Sequence, residues 1–369
     1  MSKKNKRVVI KIGTTLLTKK DFTLNKNLLK KLSEEIAKLR RKDFEVIIVS
    51  SGSVACGRSI LKLKKENKNI PYRQALSAVG QSILMTEYSK IFKNRNIIVA
   101  QALLTNYDFS HKKNFIITAN TIELLLKMGV VPIINENDVT TYAELKFGDN
   151  DMMAAKLSAM ITADMLILLT DVDGLYNDDP SKKEAKLIPE LKTVNKNLRK
   201  LAKESKSKHS MGGMTSKIDA AEYAISAGIK CVVANGKKIE NLSRILIKDE
   251  KIGTLFLPKI GKKEKRKRWM QASTKKGCKL IVDDGARNAL TKRGASLLPS
   301  GIIEVKGQFP KGEVVSVYSK NGILIAYGIT NYTSTRIKEI KGLRSTEIAK
   351  IIKNVSYDEV IHRDHLVVV

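Results

Sequence analysis

The sequence predicts an α/β protein, an αβα sandwich around a mainly parallel sheet, with a small β-rich domain following it. Three observations predict this. Apolar, β-branched runs recur through the first two-thirds of the 369 residues, and their near-continuous hydrophobicity suits strands buried on both faces. Amphipathic stretches of helical period separate these runs, and strand alternating with helix makes a parallel sheet covered on both sides. Near residue 258 the rhythm changes to short strand-like pieces between Gly, Pro and Asn turns, which is the pattern of a separate β-rich domain.

Taken in order, the strands are RVVIKI (7–12), EVIIVS (45–50), NIIVAQALL (96–104), VVPII (130–134), ADMLILLT (163–170) and IKCVVA (229–234). Helical stretches lie at 26–41, 71–93, 114–128, 150–162 and 214–227. These place a first domain at residues 1–258. The basic run KKEKRKRW (262–269) follows Pro258 and Gly261 and reads as part of an exposed linker, 259–275. The second domain, 276–369, holds KLIVDDG, GIIEVKG, EVVSVYS and ILIAYGI, with helices expected around 286–293 and 345–353.

Composition sets limits on function. The chain is 43% hydrophobic and 28% charged with 7 prolines, ordinary for a folded protein. Three widely spaced cysteines without CxxC spacing fit a reducing compartment rather than a disulfide framework. The four histidines show no metal-site spacing, and His362 and His365 are a close pair at the extreme C-terminus. MSKKNKR is followed by VVIKIGTTLL, which is too short and too interrupted for a signal peptide or a membrane span, so a cytoplasmic location is expected. A net charge of +31 raises the prospect of an RNA partner, but the excess runs through both domains rather than marking one face.

In parallel α/β sheets ligands bind beyond the carboxyl ends of the strands, and the polar clusters of this sequence sit there. The first strand ends in Lys11-Ile12-Gly13-Thr14-Thr15, a cation beside a turn that offers backbone N–H groups. The second ends in Ser50-Ser51-Gly52-Ser53, which serves either as a helix cap or as a close approach for a ligand. The fourth runs into Asn135-Glu136-Asn137-Asp138, and Gly148-Asp149-Asn150-Asp151 opens a helix soon after. Both clusters suit ligand binding, and both suit Asx turns. The fifth strand ends in Thr170-Asp171, placed for a nucleotide base and ribose. Gly212-Gly213-Met214-Thr215-Ser216-Lys217 opens a helix whose amides and lysine would face one anion. The GxxxxGK[ST] phosphate loop is absent.

KIGTT, SSGSVACGR, NENDVTT, GDNDMMAAKL, LLTDVDGLY and GGMTSK stand in the order and spacing of the amino-acid kinase family, which this chain resembles over residues 7–257. NEND followed by GDND resembles the branch that phosphorylates the side-chain carboxylate of glutamate in proline synthesis, rather than those acting on acetylglutamate, aspartate or uridylate. The segment from Gly277 to Ile329 resembles a PUA domain, a small pseudo-barrel otherwise seen in RNA-modifying enzymes.

The resemblance implies roles residue by residue. Lys11 and Lys217 would hold the transferred phosphoryl group and Asp151 would hold both lysines. Ser51, Asp138 and Asn150 would bind glutamate. Thr170, Asp171 and the loop Met211-Gly212-Gly213-Met214-Thr215-Ser216-Lys217 would bind ATP, with Mg2+ carried mainly by the phosphates. Met211 stands where the family usually has a small hydroxyl residue, with Ser210 one position earlier. The family also implies a homodimer or homotetramer, proline as inhibitor, and a glutamate-semialdehyde dehydrogenase as partner. The rival expectations are an RNA-binding protein acting through the C-terminal domain, and a kinase with another acidic acceptor.

Overall fold

Six apolar runs become six strands of one sheet in the computed structural model. It describes residues 6–63, 69–141, 150–178, 184–194, 213–258, 277–343 and 358–369, with isolated positions between them. The chain divides into two compact units, Lys4–Lys259 and Ile260–Val369.

The first unit begins with β1 (Lys6–Ile12), a single turn α1 (Thr14–Leu17), α2 (Lys26–Arg40), β2 (Phe44–Val49), α3 (Ser53–Ile60) and α4 (Ile70–Lys93). It continues through β3 (Val99–Leu104), α5 (Asn106–Ser110), α6 (Lys112–Lys127), β4 (Val131–Glu136), α7 (Asn150–Met160) and β5 (Met165–Thr170). Last come β6 (Glu190–Leu191), α8 (Met214–Ser226), β7 (Lys230–Asn235), α9 (Asn241–Leu246) and β8 (Thr254–Phe256). The strand order is β3-β4-β2-β1-β5-β7-β8-β6. Pairing is parallel except that β8 runs antiparallel to β7.

Alternate side chains of each strand enter one of two cores. Val8, Ile10 and Ile12 pack with Leu29, Leu32 and Ile36 of α2 and Tyr88 and Phe92 of α4. Val9, Ile47 and Leu168 pack with Ala119 and Ile122 of α6, Met153 and Leu157 of α7 and Ala221 of α8. Both faces are therefore covered, as continuous apolar runs require. The exception is β3, which lies at the sheet edge and is only partly buried.

The second strand leads into α3 through Gly52, whose φ of 96° is the left-handed conformation that glycine adopts freely. Helices α3 and α4 then meet backbone to backbone. A Cβ on Gly80 would lie 1.8 Å from the Ser53 carbonyl oxygen and 2.4 Å from the Gly57 nitrogen. The fourth strand continues through Asn135 and Glu136, so the first half of NEND is strand rather than loop.

The second unit holds β9 (Lys279–Val282), α10 (Asp284–Arg293), β10 (Ile302–Lys306), β11 (Val314–Ser319), β12 (Leu324–Ile329), α11 (Ser334–Ile340) and β13 (Leu366–Val368). Its sheet has the order β10-β9-β11-β12-β13. Leu280, Val282, Val317, Ile325 and Ile337 fill a core of their own. Asp283 caps α10 by accepting from the Ala286 N–H at 2.7 Å. His362 and His365 meet edge to face, 6.0 Å between ring centres. Of the helix expected at 345–353 only residues 347 and 348 are described, both helical, with Ile348 in the core of this unit; the rest of it and most of the basic linker lie outside the described residues. Among the described residues no helix is long and apolar enough to cross a membrane.

Candidate active site

The carboxyl ends of β1, β2, β4 and β5 gather most of the polar residues singled out in the sequence. Lys11 is the penultimate residue of β1 and is 3% exposed. Asp151, in the first turn of α7, is fully buried. Its Oδ1 meets the Lys11 ammonium at 2.6 Å and its Oδ2 meets the Lys217 ammonium at 3.0 Å. Lys217 comes from the first turn of α8, and Ser216 beside it donates to Asp151 Oδ2 at 3.1 Å. Two buried cations thus share one buried anion, an arrangement that persists only when paired and hydrogen-bonded. The net positive charge that remains, set at the N-terminus of α8, suits a polyanion.

A second cluster is built from amides and hydroxyls. Asn150, next to Asp151, directs its Nδ2 to the Ser50 carbonyl at 2.6 Å, to Asn135 Oδ1 at 2.9 Å and to Ser51 Oγ at 3.0 Å. Consecutive residues of α7 therefore serve the two clusters, Asn150 the turn after β2 and Asp151 the lysines. Asp138 reaches the same region indirectly, accepting from Ser77 Oγ at 2.8 Å while Ser77 also contacts Ser53 Oγ at 2.9 Å.

Thr170 ends β5, its hydroxyl 3.2 Å from Asp171 Oδ1. Gly13 follows β1 close by: a Cβ on it would lie 3.8 Å from Lys11 Nζ and 3.9 Å from the Leu169 carbonyl oxygen. Gly213 caps α8 in an extended conformation, and a Cβ there would meet nothing within 4 Å. Met214, Thr215 and Ser216 form the first turn of α8. Met211 and Gly212 lie outside the described residues.

Sequence reasoning missed the part played by α4. Gln74, Ser77, Gln81 and Tyr88 point inward from it, contacting the Thr141 carbonyl at 3.2 Å, Asp138, Asn135 Nδ2 at 2.8 Å and Ser50 Oγ at 3.1 Å respectively. Their spacing of three, four and seven residues marks one helical stripe and was the available signal. Burial raises the Tyr88 phenol far above its ordinary range, so it stays a neutral hydrogen-bonding group.

The three cysteines are buried and free. Burial pushes the Cys56 thiol up to about 11, and burial with the Asp151 charge pushes Cys231 well above its ordinary value. A thiol whose folded pKa is raised contributes stability below its unfolded value near 9 and loses it as pH climbs towards 11. Native protein is expected to take up no iodoacetamide at Cys56 or Cys231 at pH 8, and to become fully alkylated after denaturation, as read by intact mass.

Comparison with known proteins identifies the family. Residues 6–235 match the model of the amino acid kinase family and residues 278–352 match the PUA domain. The chain belongs to the amino acid kinase family. A glutamate 5-kinase of Caldanaerobacter subterraneus subsp. tengcongensis is 44% identical over 98% of this chain and 97% of its own length. That of Carboxydothermus hydrogenoformans is 44% identical over 99% of this chain and 98% of its own. The X-ray structure of an isopentenyl phosphate kinase shares the fold, with a TM-score of 0.50 at 20% identity over 68% of this chain and 99% of the other.

Proposed function

We propose that the chain phosphorylates the side-chain carboxylate of free L-glutamate with ATP, giving L-glutamyl 5-phosphate, the first step of proline biosynthesis. The observation that carries this reading is the buried Lys11–Asp151–Lys217 clamp lying one residue from the Asn150–Ser51 cluster, in a chain whose full-length relatives bear the name glutamate 5-kinase. Those relatives favour a kinase over a protein whose main task is binding RNA.

The chemistry needs no general base. A glutamate side chain ionises near about 4.3, so at neutral pH it is already the attacking anion. One of its oxygens bonds to the γ-phosphorus as the bond from that phosphorus to the β–γ bridging oxygen breaks, releasing ADP. The obstacle is electrostatic, because an anion must approach a polyanion. Lys11 and Lys217 converge on one point from β1 and α8, and would neutralise the transferred group from two sides.

Both oxygens of Asp151 are committed to the lysines and Ser216. The clamp therefore suits magnesium held by the ATP phosphates rather than by this carboxylate, where the ion would neutralise phosphate charge. Asn150, Ser51 and Asp138 would hold glutamate, with Asp138 the natural counter-ion for its ammonium group. Thr170, Asp171 and the first turn of α8 would take the nucleotide, along with Met211 and Gly212. A cytoplasmic setting fits three buried free thiols. Inhibition by proline, transfer of the acyl phosphate to a glutamate-semialdehyde dehydrogenase, and assembly as a homodimer or homotetramer belong to the same reading.

A coupled ADP-release assay across glutamate, N-acetylglutamate, aspartate and UMP tests the proposal; activity with any acceptor but glutamate alone would overturn it. Within that assay Asp138→Ala is expected to raise the glutamate KM at least tenfold and the ATP KM less than twofold, since an ammonium loses its counter-charge. Equal rises in both would remove Asp138 from the acceptor site.

A further inference from the structure

Gln81 lies at the middle of α4 and is 8% exposed. Its Oε1 accepts from Asn135 Nδ2 at 2.8 Å. Its Nε2 is buried and has no hydrogen-bond partner among the described residues. An unpaired buried amide group is unfavourable, and most native positions avoid it. Leucine or methionine would fill the same space and remove that penalty at position 81, as Leu76 and Leu84 do on the same helix, but would leave the Asn135 amide without its acceptor.

The reason for an amide lies in a chain of three. Asn135 Oδ1 accepts from the main-chain N–H of Glu136 at 2.9 Å and from Asn150 Nδ2 at 2.9 Å. Asn150 Nδ2 lies 2.6 Å from the main-chain carbonyl of Ser50. Neither backbone group can reverse its polarity, so Asn135 must turn its oxygen towards Asn150 and its Nδ2 towards α4. Asn135 is 3% exposed, and that Nδ2 needs an acceptor in a dry place. Gln81 Oε1 supplies it, and the same polarity strands Gln81 Nε2. With its Nδ2 hydrogens drawn to the Ser50–Ser51 turn and Asn135, Asn150 keeps its Oδ1 for a bound hydrogen-bond donor.

We infer that Gln81 is a positioning residue for the acceptor: it holds Asn135, and through Asn135 it orients Asn150 over the turn after β2. This rests on the reading that Asn150 and Ser51 bind the acceptor carboxylic acid. The residue is kept for the orientation it imposes on Asn135, with one unpaired N–H group as its accompaniment, which separates it from an ordinary core position.

The test uses the full-length chain with Gln81→Met, Asn135→Leu and the double variant, measured by ADP release and thermal unfolding. Gln81→Met exchanges the stranded Gln81 Nε2 for a stranded Asn135 Nδ2 and is expected to unfold close to the wild-type temperature, to raise the acceptor KM about tenfold, and to leave the ATP KM within about twofold. The double variant is expected to match Asn135→Leu, because Gln81 acts only through Asn135. A wild-type acceptor KM in Gln81→Met, a parallel rise in both KM values, or additive losses in the double variant would each overturn the inference. Failure of the glutamate reading is distinguishable: the wild type would then turn over another acceptor of the panel, and the same KM comparison would be made on that acceptor.

Discussion

Lys217→Ala is expected to lower kcat by a factor of about 100 to 1,000, the usual loss when one preorganised charge is removed from a transition state. The glutamate KM should move less than threefold, since Lys217 lies on the phosphoryl side of the site. Stability should change little, because Asp151 keeps its 2.6 Å pair with Lys11. The measurement is steady-state ADP release with a thermal melt of the same sample. A variant with wild-type kcat would exclude Lys217 from the transferred group.

Asp151→Ala should do more damage of a different kind. It removes the carboxylate shared by two buried ammonium groups, Lys11 and Lys217, 3% and 8% exposed. Breaking a buried pair by deleting one partner destabilises by about 3–5 kcal/mol, which for a unit of this size lowers the melting temperature by roughly 10 °C. Catalysis should fall at least as far as in Lys217→Ala, because both lysines lose their fixed geometry. The double variant Asp151→Ala with Lys217→Ala should lose less than the sum of the two single variants, since their shared ion pair is broken in both. Additive destabilisation would show that the carboxylate does not couple the two sites.

Much of the fold was legible because the strands are buried on both faces, which leaves continuous runs such as VVIKI and MLILLT that helices of this length rarely contain. The short β8 was not legible: three residues carry no period, and its antiparallel pairing with β7 depends on Gly253 and the chain path before it. Lys11, Asp151 and Lys217 were readable as strand-end and helix-start residues, whereas their meeting at one carboxylate is tertiary and has no local signature. Gln81 and Ser77 were harder still. In a helix that is only weakly amphipathic, an inward glutamine reads as one more solvent-facing polar residue, and only its contact with Asn135 reveals otherwise.

The contact between α3 and α4 also limits how this site can change over evolutionary time. Gly57 and Gly80 bring two backbones so close that even a methyl group on Gly57 would lie 2.0 Å from the Leu76 carbonyl oxygen. Neither position can drift, and a mutation at one cannot be offset at the other. The helix that begins at Ser53 is thereby locked to the helix that carries Ser77 and Gln81. Lineages that acquire a new acceptor on this scaffold must do so by exchanging side chains around the turn, because the framework behind it has no room to slide.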